Sequence, residues 1–149
     1  MTGSAVLVDE LQDTDRAAWG RLALGYKTFY ETTLPDAAYE HTWRRLRAGD
    51  RVYAWAARVD GRLAGIAHYM FHASAWAEDS CYLQDLFTDE SMRGRGVAAA
   101  LIERVAQSAR EHGAPKLYWL THATNARARR LYDRVARHQG FIRYDHPMA

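Results

Sequence analysis

Residues 81–113 read CYLQDLFTDESMRGRGVAAALIERVAQSAREHG, and the hydrophobic period changes within them. Cys81–Thr88 is mostly apolar but carries Asp85. A strand of that composition belongs in the middle of a sheet. From Gly96 to Glu111 the apolar residues Ala98, Leu101, Ile102, Val105 and Ala109 form one stripe, and Gly113 can end the helix before Pro115. The stretch is therefore strand, glycine-rich loop, helix.

Upstream, a short strand is expected at Ala5–Leu11. Asp13 or Asp15 can then cap a helix with Trp19, Leu22, Tyr26 and Phe29 on one face. Pro35 and Asp36 open a second helix carrying Tyr39, Trp43 and Leu46. Val52–Val59, the turn Asp60-Gly61 and Leu63–Phe71 read as a hairpin. Downstream, a strand at Lys116–Thr121 is followed by a helix that Thr124 can cap. Its stripe is Ala128, Leu131, Tyr132 and Val135, and a short strand around Phe141–Tyr144 ends the chain. The order β, α, α, β, β, β, α, β, α, β predicts an α/β or α+β sheet with helices packed on it.

The chain has 149 residues, 48% apolar and 26% charged, which suits one domain over 1–149. No run approaches the ~18 apolar residues of a membrane span, and the first residues lack the pattern of a signal peptide, so a cytoplasmic protein is expected. A lone cysteine, Cys81, rules out an internal disulfide and multi-cysteine metal motifs. The net charge of +2 gives no footprint for nucleic acid or an anionic membrane.

Arg93-Gly94-Arg95-Gly96-Val97-Ala98 lies between the buried strand and the helix start. Glycines let the backbone approach a ligand, and the exposed amides of a helix N-terminus suit a phosphate or pyrophosphate. The arginines add charged donors. The alternative is a basic connection with no ligand. A dinucleotide fingerprint fits poorly, because Asp89–Arg93 separate strand from glycines and no carboxylate stands in Leu117–His122, where the ribose would need one. A P-loop is excluded, since no Gly-Lys-Ser/Thr follows.

These residues resemble the GNAT N-acetyltransferase superfamily. The likeness rests on Leu86-Phe-Thr88, on Arg93-Gly-Arg-Gly96-Val-Ala98, on the strand Lys116–Thr121, and on Asn125 and Tyr132. It covers nearly the whole chain and looks closest to the branch acetylating polyamines, histone tails or amino acids. The resemblance implies a mixed, mostly antiparallel sheet of about six or seven strands, with helices on both faces and a splayed central strand pair. It also implies acetyl-CoA as co-substrate, no metal, and a small-molecule amine as acceptor. Members often dimerise through terminal strands and helices, so a homodimer is an expectation by analogy.

Carried over residue by residue, the coenzyme would lie along Leu86, Phe87 and Thr88, with its pyrophosphate on Arg93, Gly94, Arg95, Gly96, Val97 and Ala98, and with Asn125 in contact. Tyr132 takes the position of the acid that protonates the leaving thiolate, a task an ordinary tyrosine can perform at neutral pH. Asn125 is two helical turns earlier, ~10 Å along the same face. A core tyrosine is the alternative reading. Some relatives place a glutamate where this chain has Gln84, which cannot accept a proton. Asp85 is adjacent, but strand alternation sends it to the opposite face unless a bulge re-aims it. It is either a structural hydrogen-bonded carboxylate or a catalytic one.

For the acceptor, the resemblance points to Tyr30, Glu31, Tyr69 and His72, with Glu31 attracting a cationic amine and aromatic rings packing on it. His68 and His72 lie ~13 Å apart along a strand, too far to share one ion, so they are ordinary strand histidines or substrate contacts. A catalytically silent acyl-CoA-binding module and transfer to protein lysines are the competing readings, Gln84 favouring the former.

Overall fold

The computed structural model describes residues 5–149, which form two compact units, the first ending at Trp119 and the second spanning Leu120–Ala149. In the first, β1 (Val6–Asp9) precedes α1 (Arg16–Phe29), α2 (Asp36–Ala48), β2 (Tyr53–Val59), β3 (Arg62–His72), β4 (Ser80–Thr88), α3 (Val97–His112) and β5 (Leu117–Tyr118). The second holds α4 (Ala126–Val135). Asp60 and Gly61, at φ 52° and 75°, make the tight β2–β3 turn.

The sheet runs β1-β2-β3-β4-β5, antiparallel except for the parallel pairing of β4 with β5. Five strands stand among the described residues, against the six or seven implied by resemblance. Phe141–Tyr144 forms no strand and has no ladder partner among the described residues; Phe141 and Tyr144 are exposed. The strand expected over Lys116–Thr121 shortens to Leu117–Tyr118 for a related reason. Only Cys81↔Leu117 and Tyr82↔Tyr118 pair, and β4 continues through Leu83–Thr88 with no strand on that side. A bulge in β4 immediately follows, and a bulged strand bends. The pair is splayed.

Helices cover both faces, as alternation along β3 shows. Ile66 packs with Leu11, Trp19, Leu22, Trp43, Leu46 and Ala56 under α1 and α2. Gly65 points the other way, where a Cβ would stand 2.6 Å from Val97 Cγ1 and 3.1 Å from Leu101 Cδ1 of α3. Val97, Leu101 and Val105 are fully buried on that side, each contributing about 1.5–3 kcal/mol of burial.

Candidate active site

The bulge decides what β4 presents. His68 pairs with Asp85 and Tyr69 with Leu83, leaving Gln84 as the extra residue. The bulge puts Asp85 on the α1 face, while Leu83 falls on the α3 face. Gln84 is exposed, and its carbonyl accepts a 3.4 Å bond from the Tyr26 hydroxyl.

His68 is buried, and its ring nitrogens meet Trp19 Nε1 at 3.0 Å and Asp85 Oδ2 at 2.9 Å. An indole N–H can only donate, so His68 Nε2 is the acceptor and Nδ1 carries the hydrogen given to Asp85. Burial pushes the Asp85 carboxyl upward, but the His68 hydrogen bond, the Lys27 charge and the Tyr26 hydroxyl together hold it below the ordinary range. A fifth of the side chain stays exposed (20%). Burial, and then the Asp85 charge, keep the Tyr26 hydroxyl protonated far above the usual tyrosine range, with Tyr30 and Tyr82 adding to the effect. Tyr26 packs on Tyr30 at 4.9 Å, and Tyr82 stacks on Tyr118 at 4.9 Å and 17°. An anion ringed by phenols suits a cationic amine.

The other candidate acceptor residues divide. His72 closes β3 on the same face, where the Tyr118 hydroxyl meets its Nε2 at 2.9 Å. Glu31 follows α1 in a left-handed turn, φ 54°, and is exposed. Tyr69 is placed differently from expectation. Alternation turns it to the α3 face, where its hydroxyl donates to Ser108 Oγ at 3.4 Å; with Tyr53, Trp55 and the end of α2 at Leu46 and Arg47 it also lines a hollow of about 260 Å³.

Beyond β4, Asp89 accepts from the Ser91 amide and closes a short turn. Arg93–Gly96 then lead into α3. Gly94 and Gly96 have φ 79° and 80° and open space where a Cβ would stand. The Arg93 and Arg95 side chains bind no partner among the described residues, and both stand in the loop that runs into the first turn of α3. Leu86 pairs with Ala67 and faces α3, while Phe87 pairs with Ile66 and lies against Gly25 of α1. This open strand edge, cationic loop and free helix end fit an extended thiol ester carrying a pyrophosphate.

In the second unit, Asn125 rather than Thr124 caps α4. Its Oδ1 accepts from the Ala128 amide at 3.4 Å, and its Nδ2 donates to Thr121 Oγ1 at 3.2 Å. Tyr132 is half-buried, on the helix face shared by Ala128 and Leu131. Cys81 is fully buried, and burial pushes its thiol up to about 11, which removes the thiolate that a nucleophile needs. The sequence pattern singles out neither Trp19 nor Tyr26 for the site, and leaves His68 as an ordinary strand histidine or a substrate contact. A histidine within an apolar strand was the available signal.

The sequence matches the acetyltransferase (GNAT) family over residues 10–137, and the chain belongs to that family. It is an acetyl-CoA-dependent acyltransferase. Over 141 residues it is 34% identical to the D-amino-acid N-acetyltransferase of Saccharomyces cerevisiae, covering 91% of this chain and 87% of that protein. A shorter match, 31% over 70 residues, joins it to the thialysine N-epsilon-acetyltransferase of Bos taurus, with 47% of this chain and 41% of the relative covered. The aminoglycoside N-acetyltransferase AAC(6')-Iy solved in complex with CoA shares the fold, with a TM-score of 0.84 at 20% identity over 99% of this chain and 98% of that one.

Proposed function

We propose that the protein transfers the acetyl group of acetyl-CoA to the primary amine of a small molecule, by direct attack in a ternary complex. The observation that carries this reading is the Asp85 carboxylate, held by His68 and facing Tyr26, Tyr30 and Tyr82. The coenzyme binds along Leu86, Phe87 and Thr88 and on the loop Arg93–Ala98, with Asn125 contributing, while Tyr30, Glu31 and His72 border the acceptor. Acetyl-CoA supplies an activated acyl carbon, and strand amides at the open edge polarise it.

A carboxylate held below its ordinary pKa is a weak base toward a free ammonium ion but a good partner for one. Asp85 therefore positions the amine first. The ammonium first releases one proton to water, which frees its lone pair; as the C–N bond then forms, the nitrogen becomes strongly acidic, and Asp85 takes its second proton. The C–S bond breaks, and Tyr132 protonates the departing sulfur, so two protons leave nitrogen, one to water and one to Asp85, and one reaches sulfur. Lys27, whose charge acts on Asp85, stands where a carboxylate carried by the acceptor would be drawn. Together with the D-amino-acid relative, this favours an amino acid over a polyamine. A homodimer, on analogy with the family, and the cytoplasmic location expected from the sequence belong to the same proposal.

The test is release of coenzyme thiol from acetyl-CoA against D- and L-amino acids, polyamines, aminoglycosides and lysine peptides. Amine-dependent release, greatest for amino acids, is expected. Coenzyme binding without release from any amine would sink the reading in favour of a silent binding module.

A further inference from the structure

We infer that Trp19 and His68 are positioning residues that fix the orientation of the Asp85 carboxylate toward the acceptor amine, a role that rests on the function proposed above. Three elements meet at this point. Trp19 lies on α1 and is completely buried, its ring 5.3 Å from Trp43 of α2. Its indole N–H meets His68 Nε2 at 3.0 Å, and His68 Nδ1 meets Asp85 Oδ2 at 2.9 Å. Because the indole is only a donor, it dictates which imidazole nitrogen carries the hydrogen. That nitrogen is the one facing Asp85.

Three backbones therefore anchor one carboxylate. His68 and Asp85 are cross-strand partners, and they meet on this face only because the Gln84 bulge turns Asp85 toward it. Trp19 then locks the imidazole from the helix side. A rotamer-free carboxylate would trade bonds between Tyr26 and water, whereas one pinned through Oδ2 presents a fixed geometry to a nitrogen that must be aligned for attack. The charged and titratable groups facing this centre are Lys27, Tyr26 and Tyr30 from the α1 side, Tyr82 from β4, and Arg16, whose guanidinium carbon lies 5.4 Å from the Trp19 ring centre. Of the groups that oppose the effect of burial on Asp85, the His68 hydrogen bond, at 2.9 Å, does most.

The experiment uses the full chain. An imidazole nitrogen spectrum at pH 8.5 should show His68 protonated at Nδ1 and bare at Nε2; the opposite tautomer would overturn the inference outright. His68→Leu removes the donor while keeping bulk, and His68→Asn restores an N–H near the position of Nδ1. In His68→Leu, kcat/KM for the amine should fall about tenfold to a hundredfold, as for losing a hydrogen bond to a charged group. The KM for acetyl-CoA should hold. Removing the donor raises the Asp85 pKa, so the acid limb of kcat/KM should move to higher pH in His68→Leu and return toward wild type in His68→Asn. Trp19→Phe should shift the His68 Nε2 resonance and raise the amine KM severalfold. Unchanged amine kinetics and pH limbs in folded His68→Leu would overturn the positioning role. If Asp85→Asn itself leaves turnover intact, the proposed role of Asp85 fails and the positioning role with it. An Nδ1–H tautomer would then show that the hydrogen bonds were present but served another purpose.

Discussion

Leu83 and Asp85 stand two residues apart on β4 and face opposite sides of the sheet, because the bulge at Gln84 takes up the intervening position. In a regular strand they would share a face. The displaced register puts Asp85 opposite His68 and keeps Leu83 in the core at 1% exposure. Asp85→Asn preserves shape and removes the charge. We expect kcat/KM for the amine to fall roughly 10²–10⁴-fold, with calorimetric affinity for acetyl-CoA unchanged. An effect confined to the coenzyme would contradict the assignment.

Tyr132→Phe should lower kcat without altering the KM for acetyl-CoA, because a proton donated to the leaving sulfur matters only as the C–S bond breaks. The loss should shrink with an acyl donor whose thiol is more acidic. A variant equally slow with both donors would argue against Tyr132 as the acid.

Two glycines separate binding from packing. Gly96→Ala meets open space but must adopt φ 80°, costing about 1–2 kcal/mol and raising the KM for acetyl-CoA as the loop relaxes. Gly65→Ala would drive a methyl to 2.6 Å from Val97 Cγ1 and 3.0 Å from the Phe87 carbonyl oxygen. Overpacking of that kind costs about 1–3 kcal/mol. Urea midpoints beside coenzyme titrations distinguish the two, since the Gly65 variant should lose stability first.

Arg58 grips Asp15 with two nitrogens, at 2.9 and 2.7 Å, and also reaches Asp9 at 2.8 Å. This pair ties the start of α1 to β2. Its hydrogen bond outweighs burial and lowers the Asp15 pKa below 3.8. The stabilisation is therefore complete above the unfolded value and disappears as pH falls through the folded one. Asp15→Asn should cost about 3–5 kcal/mol at pH 7. The gap from wild type should close in urea titrations taken well below pH 4. A constant gap would mean the charge is not what Asp15 contributes.

Hydrophobic period and turn chemistry were sufficient for the element order through α4, because each element carries its own periodicity and its own glycine or proline punctuation. Helix caps were legible to within a residue, as Asn125 in place of Thr124 illustrates. Strand ends were not. Lys116–Thr121 has strand composition throughout, yet whether it is a strand depends on where β4 bends away. The face of Asp85 was equally hidden, since a bulge is a two-strand property and residues 81–88 alone do not reveal which one is extra. Tyr69 and His72 stand three apart on β3, so period-two alternation alone sends them to opposite faces, and Trp19 looks like core because in part it is.

Gly25 sits within α1, and the Phe87 ring lies where its Cβ would be, with ring atoms at 3.0 and 3.1 Å. A mid-helix glycine forfeits about 1 kcal/mol relative to alanine, so this chain gives up helical stability to let α1 and β4 approach within a bare backbone's width. Position 25 thus acts as a spacer between the helix bearing Tyr26 and Lys27 and the strand bearing Asp85. For redesign it is a separate control: a graded series of Ala, Ser and Val there would widen the gap stepwise and retune acceptor size, leaving the reacting groups and the glycine loop unaltered in sequence.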